Sequence, residues 1–109
     1  MNSNIADQFI RNFLEKYLDS IKSYYNPKEM WFFGSRTIGK AREESDIDLI
    51  LVSEKFRGTK FINRMGEFLK RIDFPKHIDA ICYTPEEFEK KKKEIGMISE
   101  ALQQGIKII

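Results

Sequence analysis

The stretch Ser45-Asp-Ile-Asp-Leu-Ile-Leu-Val-Ser53 constrains the fold of this chain more than any other segment. Leu49 to Val52 are wholly aliphatic and follow Ile47, so Asp46 to Ser53 reads as a strand running into a core. Yet the strand begins with Asp46 and Asp48, a residue type that strands disfavour. Side chains two apart on a strand share a face, about 6.6 Å from each other. Two ionised carboxylates at that spacing repel by roughly 2.5 kcal/mol at an effective dielectric near 20. A purely structural protein gains nothing from this. Relief comes from a proton on one aspartate or from a cation between them. Hard oxygen donors on a rigid strand suit Mg²⁺, which keeps several waters and pairs with substrate phosphates. The plainer alternative has Asp46 capping or facing solvent and Asp48 in a local hydrogen bond.

Around that strand, helix and strand patterns alternate, with no repeat, linker or composition shift to mark a second domain in the 109 residues. Ile5, Phe9, Ile10, Phe13, Leu14, Tyr17, Leu18 and Ile21 recur at helical spacing, and Pro27 closes that segment. Glu29 to Phe33 reads as a strand ending at Gly34. Phe61, Ile62, Met65, Phe68, Leu69 and Ile72 form the stripe of a second helix, with Thr59 as its expected cap. His77 to Tyr83 reads as a third strand. Thr84, Pro85 and Glu87 then carry the signature of a capping box. A short helix over Met97 to Gln104 stops at Gly105, and the closing Ile-Lys-Ile-Ile adds a terminal strand. The expected class is α/β (α+β): one domain over 1–109, with a small mixed sheet and helices in two layers.

Upstream of the carboxylates, Gly34-Ser35 follows the first strand, and Gly39 lies six residues before Ser45. Glycine permits close approach of backbone N–H groups to an anion, and a helix N-terminus favours negative charge. Ser35 adds a hydroxyl donor, and Arg36, Lys40 and Arg42 add positive charge. Downstream, Asp79 interrupts an apolar strand as Asp46 and Asp48 do. Three of the six aspartates thus fall within predicted strands, while most other acids are helix-borne glutamates. His77 shares a face with Asp79 by alternation, a position more typical of an exposed or hydrogen-bonded residue than of a catalyst.

Composition excludes other classes. A net charge of +2 is too small to argue for nucleic acid or a lipid surface. The lysines of Glu89-Lys-Lys-Lys-Lys-Glu94 are bracketed by glutamates, as on a solvated helix face. No apolar run approaches the roughly 20 residues that cross a bilayer, so no membrane association is expected. The N-terminal segment lacks the pattern of a secretory leader, which gives a cytoplasmic expectation. Cys82 and His77, one of each type, cannot build a thiolate–imidazole metal site, and Cys82 reads as a small buried hydrophobe. Phe9, Phe13, Tyr24 and Tyr25 fit a core or an interface between copies equally well.

Gly34-Ser35, Gly39, Ser45-Asp46-Ile47-Asp48 and Asp79 together resemble the nucleotidyltransferase domain of the DNA polymerase beta superfamily. The likeness is to its smallest members, the minimal nucleotidyltransferases, and spans nearly the whole chain. It implies Asp46, Asp48 and Asp79 as metal-binding catalytic carboxylates holding two Mg²⁺ ions. It also implies Gly34, Ser35, Arg36, Gly39, Lys40 and Arg42 around a nucleoside triphosphate such as ATP. The activity it implies is transfer of a nucleoside monophosphate to a hydroxyl. Many such small proteins are similar to the antitoxin half of a pair whose partner is a helical HEPN-domain toxin, and some act by transferring AMP to it. The alternative on the same fold is a binding module that neutralises its partner by contact. The chain departs from the family in having Thr37 and Ile38 where small and basic residues are common.

Overall fold

The computed structural model describes residues 5–109; the first four residues, where the leader reading begins, lie outside it. Helix α1, Gln8–Tyr25, starts where Asp7 caps it: the carboxylate accepts from the backbone N–H groups of Phe9 and Ile10. It ends at Asn26 in the left-handed region (φ 44°), just before Pro27. Strand β1, Glu29–Phe33, leads into a 3₁₀ turn over Ser35–Thr37. Strand β2 is Ile47–Val52, helix α2 Phe61–Leu69 and strand β3 Ile78–Tyr83. Helices α3 (Pro85–Lys93) and α4 (Met97–Gln104) and strand β4 (Ile106–Lys107) complete the chain.

The sheet order is β3-β2-β1-β4. Strands β1 and β2 pair antiparallel, while β2 and β3 pair parallel because α2 carries the chain back over the sheet. The expected terminal strand forms over only the first two residues of Ile-Lys-Ile-Ile and adds antiparallel to β1, with Ile106 opposite Phe32.

Strand alternation sorts the side chains into two cores. Ile47, Leu49 and Leu51 join Met30, Phe32, Ile78, Ala80 and Cys82 under α1 and α2. Ile50 and Val52 join Tyr83, Phe88 and Ile98 under α3 and α4, with Trp31, Phe33, Ile81 and Leu102 packed around them. The α/β class stands as read from the sequence, but the helices divide between both faces rather than forming one layer. Continuous apolarity in β2 is the cause, since a strand buried on both faces has no polar side to turn outward.

Three local expectations change. Thr59 does not cap α2; the cap position is Lys60, without a side-chain bond, and the Thr59 carbonyl accepts from Arg64 Nε at 2.9 Å. Phe61 and Ile62 stand out of the apolar stripe, at 51% and 84% exposure. Asp46 and His77 lie one residue outside the strands assigned to them. Phe13 and Tyr25 are core, whereas Tyr24 is exposed, with the Arg71 guanidinium 3.5 Å from its ring centre. Among the described residues, no helix is long and apolar enough to cross a membrane. The lysines of α3 are exposed in its last turn, where they complement the negative end of the helix dipole, and Lys92 pairs with Glu89 at 2.5 Å.

Candidate active site

The C-terminal end of β1 and the N-terminal ends of β2 and β3 meet at one end of the sheet. Asp48 stands in the middle. Its neighbour across the antiparallel pair is Phe33, and across the parallel pair it is Asp79. By strand alternation all three side chains emerge on the face covered further down by α3 and α4. The helices cover Ile50, Val52 and Tyr83 but leave this end open: Asp48 is half-buried and Asp79 exposed.

Gly34 lies directly on the Asp48 carboxylate. A Cβ built there would come within 2.3 Å of Asp48 Oδ2, and its φ of +84° is one that side-chain-bearing residues rarely adopt. Both facts require glycine. Thr37 N and Oγ1 fold back onto the Gly34 carbonyl at 3.1 and 2.7 Å, and Lys40 N donates to the Ser35 carbonyl at 3.1 Å. The loop is therefore a closed turn pressed against the carboxylate, with Ser35 at its inner end and Lys40, Arg42 and Ile38 exposed on its rim.

Arg36, expected among the phosphate binders, faces inward instead. Its Nε donates to the Ser45 carbonyl at 2.9 Å, and Nη2 to the carbonyls of Arg42 and Glu43 at 3.1 and 3.0 Å. Its Nη1 pairs with Asp7 Oδ2 at 3.0 Å, and the side chain is only 4% exposed. Asp7 thus caps α1 with one oxygen and anchors the loop through Arg36 with the other. A basic residue beside Gly-Ser looks like a phosphate ligand from sequence alone, because its carbonyl partners have no side-chain signature. Asp7 carries no such signature either, as nothing in the sequence links it to a loop 29 residues away.

The electrostatics centre on Asp48. Burial first, then the negative charges of Asp79 and Asp46, push its carboxyl up from 3.8 to about 6, while His77 opposes the rise. Asp46 belongs to the exposed turn before β2 rather than to the strand, yet its charge reaches Asp48. Among the described residues, no three His, Cys, Asp or Glu side chains form a ready-made metal cage. The three expected carboxylates therefore share one end of the sheet without being drawn together. Their chemistry still fits a hard divalent cation: oxygen donors, excess negative charge and a half-buried central ligand.

The family model for the nucleotidyltransferase domain matches residues 14–108. The probable protein adenylyltransferase MntA of Haemophilus influenzae is 28% identical over 79 residues, which cover 71% of this chain and 69% of that protein. A crystal structure from Sulfolobus solfataricus, provisionally assigned as a nucleotidyltransferase, superposes with a TM-score of 0.56 at 22% identity, covering 72% of this chain and 70% of the other. That likeness supports the fold, and the family match spans both the glycine-serine turn and all three aspartates. The chain belongs to the nucleotidyltransferase domain family.

Proposed function

We propose that this nucleotidyltransferase transfers AMP from ATP to a hydroxyl on a separate protein, a helical HEPN-type toxin that it thereby neutralises in the cytoplasm. The observation that carries the reading is the position of Asp48, wedged between Asp79 and the Gly34 turn with its carboxyl raised by burial and then by neighbouring negative charge. Likeness to the Haemophilus influenzae relative, a probable protein adenylyltransferase, supports the adenylyl donor and the protein acceptor.

Asp46, Asp48 and Asp79 would hold Mg²⁺, which when bound supplies charge neutralisation at the α-phosphate and the departing pyrophosphate. Gly34, having no side chain, lets the triphosphate approach the backbone of the turn, and the Ser35 hydroxyl donates to a phosphate oxygen. Lys40 and Arg42 place positive charge on the rim, while Arg36 keeps the turn in shape from beneath. Asp79 lies on the edge strand β3 and is exposed, so an outside hydroxyl reaches it first. As the acceptor oxygen bonds to the α-phosphorus, the α–β bridging P–O bond breaks and pyrophosphate leaves. The hydroxyl proton passes to an Asp79 carboxylate oxygen. Positioning and electrostatics suffice for such transfer, so a small domain can perform it.

The test is incubation with α-labelled ATP, Mg²⁺ and the partner that co-purifies with the protein. Label on the partner, lost with Asp48→Asn, is the expected result. An Asp48→Asn protein that neutralises its partner as well as wild type, with no label transferred by either, supports the contact-only alternative.

A further inference from the structure

Beside Asp48, on the far side of Phe33, a groove of about 420 Å³ runs between the Gly34 turn and α4. Phe33, Gly34, Met97, Glu100, Ala101, Gln103 and Gln104 line it. Among the α4 residues, Met97, Glu100, Ala101 and Gln104 fall at i, i+3, i+4 and i+7, on one face of the helix, and Gln103 flanks them. Ile98 and Leu102 sit on the opposite side and anchor α4 in the second core. Gly105 fixes the distance between the groove walls: a Cβ there would come within 2.7 Å of the Ala101 carbonyl and 2.8 Å of the Phe32 carbonyl. The helix end therefore sits directly against β1. Ala101, the smallest side chain on the inner face, leaves the middle of the groove open.

We propose that this groove is the nucleoside subsite, with Gln104 reading an adenine edge and Glu100 binding the ribose hydroxyls. The proposal rests on the triphosphate site described above. The volume lies in the range of small-molecule sites, and the lining mixes apolar surface from Phe33, Met97 and Ala101 with the polar groups of Glu100, Gln103 and Gln104. Phe33 and Met97 offer apolar surface to a flat base. A glutamine amide carries a donor and an acceptor side by side, the complement of adenine N6–H and its adjacent ring nitrogen. A carboxylate accepts from ribose hydroxyls, as acidic residues do in dinucleotide sites. Glu100 and Gln104 stand one helical turn apart, about 6 Å along the axis, so one nucleoside can span both. Gly34 lines the groove and also touches Asp48, so a nucleoside here has its phosphates directed at the aspartates.

Calorimetry with Mg²⁺ separates the groove from the triphosphate site by comparing ATP with inorganic tripolyphosphate. Ala101→Leu, which fills the groove, is expected to weaken ATP about tenfold or more while leaving tripolyphosphate within about twofold. Gln104→Ala should weaken ATP about tenfold and narrow its advantage over GTP. Glu100→Ala should erase the preference for ATP over dATP. Equal ATP affinity in wild type and Ala101→Leu overturns the groove assignment, as does wild type binding ATP no better than tripolyphosphate; the phosphate site survives either result. Wild type that binds neither compound overturns both.

Discussion

Arg64 and Asp48 both carry charge below the surface, and the fold treats them in opposite ways. Arg64 is 6% exposed, with its guanidinium fully engaged. Nε donates to the Thr59 carbonyl, Nη1 to the Cys82 carbonyl at 3.2 Å, and Nη1 pairs with Glu87 at 2.6 Å. The second oxygen of Glu87 accepts from Nη2, and Glu87 also completes the capping box of α3. One arginine thus ties α2, β3 and α3 together. Arg36 does the same for α1 and the loop. Asp48, by contrast, has negative neighbours on two sides and a carboxyl raised to about 6. Charge that serves the fold is neutralised in place, whereas Asp48 has like charge around it, which the proposed cation would neutralise.

The largest effect that sharpens this contrast is on turnover. Asp48→Asn is expected to lower nucleotidyl transfer by about 10³-fold or more in a label-transfer assay, since a half-buried group acting on developing charge is removed. A variant with near wild-type rate would break the contrast at its centre. Gly34→Ala comes next. The added methyl displaces Asp48 Oδ2 and strains a positive φ, so transfer should fall about 100-fold, as for small misplacements of reacting groups. The protein should remain folded by circular dichroism.

The arginines should behave the other way, losing stability first. Arg36→Ala leaves Asp7 and three carbonyls without their donor and is expected to cost about 3 kcal/mol in urea unfolding. Arg64→Ala should cost less, about 2 kcal/mol, because Glu87 is 42% exposed in its side chain and water can take over.

The pH dependence of Asp48 carries the opposite sign to that of a paired carboxylate. Its folded value, about 6, lies above the ordinary 3.8, so the folded state holds the proton more tightly. Its stabilising contribution is complete below pH 4 and is lost as pH rises through 6. At pH 7 the ionised form is a burden. Asp48→Asn should therefore be more stable than wild type at pH 7 by about 1 kcal/mol once solvent screening is allowed for, with the gap closing below pH 4. The smallest expected effect is at Cys82. Its thiol is buried and pushed up to about 12 by burial, so native protein should leave it unmodified by thiol reagents over hours.

Much of this architecture was legible because it is written in local patterns. The periodicity of α1, the capping box at Thr84 and the aliphatic run of β2 each encode an element within a few residues. Asp48 and Asp79 stand out in the sequence because aspartate in a strand conflicts with local preference, whereas Asp46 lies one residue before β2 and is marked only by its place beside them. What stayed hidden depends on distant partners. Arg36 looked like a phosphate ligand because its bonds go to backbone carbonyls, which sequence does not distinguish. The division of helices between two faces was implicit in the unbroken apolarity of Leu49 to Val52, but only the register of Asp48 between Phe33 and Asp79 assigns a face to each core. Phe61 and Ile62 match the helical period and are still exposed, with the Phe61 ring centre 5.7 Å from that of Tyr83 at the end of β3.

The most direct measurement is a carbon-detected NMR titration of the Asp48 carboxyl in the intact protein, with and without Mg²⁺. A midpoint near pH 6 without the ion, falling by at least one pH unit when Mg²⁺ is added, is the predicted result. An ordinary midpoint near 4, or one that magnesium does not move, would contradict the assignment of this carboxylate to a cation.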